Sequence, residues 1–367
     1  MDNCKTTHTH SDTPAGKLLL AIEHLDLCVG DAPVIRDLNL HVHHGEIICL
    51  LGASGCGKTT VLRAIAGFIR PTNGVITLDG ALTANPDYLV PPEKRHVGMI
   101  FQDYALFPHL TIRENLAFGL KSLEKPVREQ RITHYLNLVQ LDNLADKYPH
   151  ELSGGQQQRV AVARALAPHP RIILMDEPFS NLDVCLRREL QRQLRSALQK
   201  ENMTAILVTH DQEEAFAMAD RIGLLAFGQL QQLASPYTLY HEPANRYVAS
   251  FIGLGSFITA SVADQHHLDT EVGVIESRAP LTRPRGHRMD MLLRPDDILP
   301  NPEANIQACV QRKIFKGAST LYTLTLANGT VLEAIFPSHY DYPVGSYIHI
   351  DIKANHVIVF DTAPENI

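Results

Sequence analysis

Ile47-Ile48-Cys49-Leu50-Leu51-Gly52-Ala53-Ser54-Gly55-Cys56-Gly57-Lys58-Thr59-Thr60 is the stretch that decides the fold. Five apolar residues running into a glycine predict a buried strand, and the segment Lys58–Ile69 predicts a helix. Between them, Gly52 to Thr59 satisfies G-x-x-x-x-G-K-[ST] at every fixed position. Glycines let the backbone curl so that successive N–H groups point at phosphate oxygens. The helix start adds a field that favours anions. In such a loop Lys58 faces the β- and γ-phosphates and the Thr59 hydroxyl takes Mg²⁺. A purely structural glycine turn explains neither the lysine nor the strand–loop–helix frame.

Working outward, Ile172–Met175, Ala205–Val208 and Ile222–Phe227 have the same short apolar grammar and predict further strands of a buried, largely parallel sheet. The stretches 183–200 and 211–219 predict helices between them, which makes the first part an α/β layered domain. Pro126 to Leu166 carries consecutive helix-like patterns without a strand and predicts a helical insertion. After about Gly253 the pattern changes. Leu321 to Phe336 predicts a hairpin turning at Asn328-Gly329. Ile348, Ile350 and Ile352 alternate with His349, Asp351 and Lys353 at strand period. The last third is therefore expected to be a separate small β domain.

Composition sets bounds. The 367 residues favour two domains. A net charge of −7 provides no basic field for nucleic acid. No apolar run approaches the ~20 residues needed to span a bilayer, and short ones such as Leu18–Ile22 and Ile47–Leu51 predict buried strands. Met1 to Lys17 is polar, lacks the apolar core of a signal peptide, and is expected to be a disordered tail in the cytosol. Cysteines at 4, 28, 49, 56, 185 and 309 have neither metal-ligand nor redox spacing. The histidine groups His8/His10, His41/His43/His44 and His266/His267 lack a carboxylate or thiol partner at ligand spacing, so solvated loop or strand-end histidines are the simpler reading.

Two more motifs carry chemistry. In Leu152-Ser153-Gly154-Gly155-Gln156, Ser153 stands where an N-cap would, with glycine N–H groups just inside the helix. In Ile172-Ile173-Leu174-Met175-Asp176-Glu177, a buried strand delivers two carboxylates to its carboxyl end.

These motifs together resemble the ABC ATPase family, over about Leu18 to Gly253. The resemblance implies ATP and Mg²⁺ as ligands and a head-to-tail dimer of two copies. Gly52, Ala53, Ser54, Gly55, Cys56, Gly57, Lys58, Thr59 and Thr60 would hold the phosphates. Ser153, Gly154, Gly155 and Gln156 would meet the γ-phosphate of ATP held by the other copy. Asp176 would hold Mg²⁺ together with Thr59 and Gln102. Glu177 would polarise the attacking water. His210, in Val208-Thr209-His210-Asp211, matches the switch histidine. Gln102 matches the residue that senses the membrane partner. Asp183, in Pro178-Phe179-Ser180-Asn181-Leu182-Asp183, would sit at the dimer seam. Family members usually stack adenine on an aromatic near Val29, but no Phe, Tyr or Trp occurs between Met1 and Phe68. Val29 offers an apolar contact only.

The implied architecture is a P-loop core over 18–252, with a helical subdomain at about 103–165. A small all-β domain of the OB or TOBE type follows over 253–367, with a regulatory or dimerisation role. Met291-Leu292-Leu293-Arg294-Pro295-Asp296-Asp297 resembles the strand-end motif of that domain in importer ATPases, and the segment Ser235 to Asn245 resembles the helix leading into it. Tyr104, Leu106, Phe107, Pro108 and Leu110 are candidates for a groove that takes a helix of a transmembrane permease subunit. A periplasmic solute-binding protein would act indirectly, with this chain on the cytoplasmic face of the membrane. DNA-repair ABC ATPases carry long coiled coils between Thr59 and Leu152, which are missing here. Translation-associated ones carry two cassettes, and one phosphate loop exists here. The signature excludes a simple P-loop kinase. In detail, Ala163–Pro170, Phe107–Thr111, Ala234–Pro236 and Phe179 look most like ferric-iron importer ATPases. Polyamine and sugar importers, which more often carry Leu where Phe179 stands, and importers of another anion or metal are the alternatives.

Overall fold

The computed structural model describes residues 16–180 and 184–362. It divides into two compact units, Met1–Pro236 and Tyr237–Ile367. The division falls at Pro236/Tyr237, ahead of the 252/253 boundary where the sequence pattern changes. Of the expected tail, only Gly16 and Lys17 lie within the described residues. Lys17 is already tied to the fold, its carbonyl accepting from His44 N at 2.9 Å.

The first unit opens with an antiparallel sheet of which the sequence announced only the start, the expected strand Leu18–Ile22. Its strands are β1 (Leu18–Val29), β2 (Ala32–His43), β4 (Asn73–Leu78) and β5 (Ala81–Ala84), in the order β2-β1-β4-β5. The β1–β2 pairing slips at several points, and His24 and Asp37 take left-handed backbone there. Those bulges break the two-residue alternation that marks a strand in sequence.

The second sheet is the expected core. Strands β3 (Ile47–Leu51), β6 (Val97–Ile100), β7 (Ile172–Asp176), β8 (Thr204–Thr209), β9 (Arg221–Ala226) and β10 (Gln229–Ala234) order as β10-β9-β3-β8-β7-β6. All pairs are parallel except β10 with β9. Every residue of β3 and β8 is buried, which is why both read as continuous apolar runs. Helix α1 (Lys58–Ala66) packs over the sheet through Val61, Leu62 and Ile65. It stops three residues short of the expected end, because Gly67 caps it with φ of 96°.

The inserted segment contains α2 (Ile112–Ala117), α3 (Lys125–Leu138) and α4 (Gly154–Leu166). A Thr111/Glu114 capping box starts α2, which sequence reading had not marked as a helix. Back in the core, α5 (Val184–Lys200) buries Leu190, Leu194, Ala197 and Leu198 on one stripe. Helix α6 (Gln212–Met218) follows β8 directly.

The second unit begins with α7 (Pro236–His241) and α8 (Arg246–Phe251). Two five-stranded antiparallel sheets follow, with Met291, Val310, Tyr322, Phe336 and Ile350 in a shared core. The expected hairpin is present as Ser319–Leu326 against Val331–Pro337, with Gly329 at φ of 90° in the turn. Arg294 explains its motif. The side chain is 2% exposed. It donates to Ala249 O at 3.0 Å, Leu254 O at 3.1 Å and Tyr240 O at 3.0 Å, and it lies over the Tyr240 ring. One guanidinium thus fastens both short helices to the end of a strand.

Candidate functional site

The phosphate loop joins β3 to α1, and two of its glycines are required by space and backbone. Gly57 caps α1 at φ of 104°, and a Cβ there would meet Ile35 Cδ1 at 2.5 Å. A Cβ on Gly52 would meet the Leu225 carbonyl oxygen at 2.2 Å. No side chain caps α1, so its first N–H groups are left for an outside acceptor. Lys58 is 5% exposed. Its ammonium folds back onto its own loop, donating to Gly52 O at 2.8 Å and Ala53 O at 2.9 Å. A cradle of N–H groups around an ammonium can take a polyphosphate.

The carboxyl end of β7 brings the other predicted groups to the same place. The Thr59 hydroxyl donates to Asp176 Oδ1 at 2.8 Å, so the two residues meet across 117 positions of sequence. Hard oxygen donors of this kind suit Mg²⁺. Glu177 sits one residue on, in left-handed backbone at φ of 44°. That conformation costs a non-glycine residue about 1 kcal/mol or more. It is held by Glu177 N donating to Val208 O at 3.0 Å and by Ser180 closing on the Glu177 carbonyl. The result aims the carboxylate at His210, whose Nδ1 stands 3.2 Å from Glu177 Oε1. An acid beside an imidazole can order and polarise a water.

Gln102 is exposed in the turn after β6. The segment behind it is clamped from two sides. Tyr104 and Ala105 both have positive φ, and Arg164 of α4 donates to their carbonyls at 3.0 and 2.7 Å. Buried Asn115 donates to Phe107 O at 3.1 Å and accepts from Phe107 N at 2.9 Å. Of the proposed groove, Tyr104 is buried while Leu106, Phe107 and Leu110 are half-buried and Pro108 exposed.

The signature segment stands apart. Ser153 caps α4 in a reciprocal box with Gln156, whose side chain accepts from Ser153 N at 2.9 Å. Among the described residues, no hydrogen bond links Ser153 or Gln156 to Lys58, Asp176 or Glu177. Val29 is 55% exposed at the end of β1. Asp183 lies outside the described residues. Among the described residues no group of three or more His, Cys, Asp or Glu side chains is placed to hold a metal ion. His266 and His267 bond to Ser277 O and Asp264 instead.

Sequence reading missed two supports. Arg95, 2% exposed, donates to Ala64 O, Ile65 O, Val90 O and Thr83 O, and so receives the last carbonyls of α1. Burial pulls its pKa down to about 10. Glu214, 4% exposed, lies under the His210 turn. Arg95 acts through contacts distant in sequence; the partners of Glu214 are near it in sequence, and its burial is what leaves no local pattern.

Residues 35–180 match the ABC transporter family, and residues 291–360 match the TOBE domain family. Among similar curated proteins is the spermidine/putrescine import ATP-binding protein PotA of Nitratidesulfovibrio vulgaris, 41% identical over 318 residues, covering 83% of this chain and 85% of that protein. The chain belongs to the ABC transporter ATP-binding family. It is an importer ATP-binding subunit, an ATP hydrolase coupled to transport. The protein of the same name from Legionella pneumophila is 39% identical over 329 residues, covering 86% of this chain and 89% of the relative. That from Haemophilus influenzae (strain 86-028NP) is 42% identical over 293 residues, covering 78% of each. Among solved structures, cbiO1 of Clostridium perfringens, part of the ABC transporter complex cbiONQ, superimposes with a TM-score of 0.56 at 25% identity, covering 62% of this chain and 92% of that one. No described helix is long and apolar enough to cross a membrane.

These relatives carry polyamine names and give the ferric-iron expectation no support. The physical reason is visible at Phe179, which is 1% exposed. A core side chain answers to its packing neighbours and carries no information about a cargo it never touches.

Proposed function

We propose that this chain is the ATP-driven motor of a polyamine importer of the spermidine/putrescine class, working as a pair of copies beneath transmembrane permease subunits. The observation that carries the motor is the convergence of Lys58, Thr59, Asp176, Glu177 and His210 at the carboxyl ends of β3, β7 and β8. The names of the curated relatives support the cargo.

In this reading the α1 N-terminus and the Lys58 ammonium bind the β- and γ-phosphates of ATP, displacing the Gly52 and Ala53 carbonyls from the lysine. Thr59 and Asp176, with Gln102, hold Mg²⁺, which when bound offsets phosphate charge. Glu177 orients the lytic water, and His210 contacts the γ-phosphate. The helix start at Ser153, Gly154 and Gly155 bonds to none of Lys58, Asp176 and Glu177 among the described residues, and in this reading a second copy supplies the facing phosphate. The segment 104–110, clamped by Arg164 and Asn115, receives the permease on the cytoplasmic face of the membrane. A solute-binding protein delivers the polyamine from the far side. The second unit reinforces the dimer or regulates it.

The test is uptake of labelled putrescine and spermidine by cells that depend on this chain and its permease, with Lys58 intact or as Lys58→Ala. Loss of polyamine entry in the variant is expected. Polyamine entry that ignores Lys58, beside ferric-iron or sugar entry that requires it, overturns the cargo and leaves the motor standing.

A further inference from the structure

Glu214 is a carboxyl group in an unfavourable place. It is 4% exposed, and its Oε1 has no hydrogen-bond partner among the described residues. A buried polar atom without a partner destabilises a fold. The use of this side chain therefore lies in what its other oxygen holds.

Glu214 Oε2 accepts a short hydrogen bond from the Thr209 hydroxyl. The same hydroxyl accepts from Asp211 N at 3.0 Å. Asp211 caps α6 by accepting from Glu214 N at 3.2 Å, and its second oxygen takes Arg187 at 3.0 Å. The chain closes a ring from Thr209 through Asp211 to Glu214 and back. His210 is the one residue between the two that this ring fixes. Its imidazole is 56% exposed, so side-chain packing does little to orient it. Its aim at Glu177 is set by the backbone on either side.

We propose that Glu214 is a positioning residue for His210: its carboxyl oxygen fixes the rotamer of the Thr209 hydroxyl, which fixes Asp211 N–H and so directs the imidazole to Glu177. The proposal rests on the reading of His210 as the γ-phosphate contact. Without Glu214 the Thr209 hydroxyl is free to turn to another staggered position, and the Asp211 N–H loses its acceptor. Burial raises the Glu214 carboxyl to about 7, with Asp211 raising it further and Thr209, Arg187 and His210 opposing. Cys49 of β3 faces the same group. The acceptor role survives in either protonation state, because a neutral acid still offers a carbonyl oxygen.

The experiment is steady-state ATP hydrolysis by the purified full chain, with KM for ATP and the thermal midpoint measured alongside. Glu214→Ala and Thr209→Val each lower kcat about tenfold or more, as small misplacements of reacting groups do, while KM for ATP holds. Glu214→Gln and Thr209→Ser keep the hydroxyl–acceptor pair and recover most of kcat. In a His210→Ala background, Glu214→Ala lowers kcat no further, because both changes remove the same act. Independent losses that add in the double variant overturn the proposal, as does a Glu214→Ala loss that tracks KM and the thermal midpoint. If Glu214→Ala does not fold, Thr209→Val against Thr209→Ser decides alone. Full turnover by His210→Ala removes the role of His210 itself. A crippled His210→Ala beside an active Glu214→Ala removes only this inference.

Discussion

His210 Nδ1 lies 3.2 Å from Glu177 Oε1 across 33 residues of sequence. The two arrive from the ends of adjacent parallel strands, β7 and β8, and the Glu177 backbone is pinned to β8 through Val208. Glu177 makes this approach from left-handed backbone at φ of 44°, a conformation that costs about 1 kcal/mol or more. Glu177→Gln keeps the shape and loses the charge. Turnover should fall by about 10²-fold or more while ATP still binds. Phosphate release measures the first. Size exclusion with ATP measures the accumulation of a closed dimer. Near-parent hydrolysis by the variant removes Glu177 from the chemistry.

Glu214 makes stability depend on pH in a defined direction. Its ordinary value is 4.5 and its folded value about 7, so the folded state binds the proton more tightly. The stabilising contribution is complete below pH 4.5 and is lost as pH rises through about 7. Glu214→Gln cannot ionise. Its thermal midpoint should therefore gain on the parent as pH is raised from 5 to 8. Parallel curves for the two proteins would show that the carboxyl is not held neutral.

Arg294 gives a prediction confined to the second unit, where all its partners lie. Arg294→Met leaves the carbonyls of Ala249, Leu254 and Tyr240 without this donor, at about 1–3 kcal/mol for each one left buried and unmatched. Arg294→Lys restores a point charge but not the planar fork, and should recover only part. Calorimetry should show the transition of the TOBE-bearing unit moved to lower temperature. An unmoved transition would mean that water satisfies those carbonyls.

Legibility in the sequence follows how local the physics is. Gly52 to Thr59 could be read because phosphate binding needs N–H groups, a lysine and a hydroxyl within one turn of chain. The five-residue runs of β3 and β8 could be read because both faces are covered. Of the β1–β2 sheet only Leu18–Ile22 could, since the bulges at His24 and Asp37 spoil the alternation beyond it. Arg95 could not, since an isolated arginine looks the same in sequence whether solvated or buried against distant carbonyls, and Glu214 could not, since Thr209 and Asp211 are near it in sequence but its burial is not written there. Gln156 was expected at phosphate, and its side chain is found closing the Ser153 capping box. Cargo was not legible at all: Phe179 answers to the core.

Val29 tests what adenine rests on. It ends β1 opposite Ala32, 55% exposed, with Gly30 turning at φ of 59° beside it. A larger side chain there meets solvent, and an aromatic suits an exposed strand end. If adenine lies over this position, Val29→Tyr adds stacking of about 1 kcal/mol, which is about fivefold in Kd. Val29→Leu adds apolar bulk without a π-face and should gain little. Inorganic tripolyphosphate has no base, so its affinity should be the same for parent and tyrosine variant. Titration calorimetry of ATP and tripolyphosphate on the three proteins separates the cases. Tighter ATP with unchanged tripolyphosphate places adenine at Val29. Equal ATP affinity for parent and Val29→Tyr shows that the base rests elsewhere.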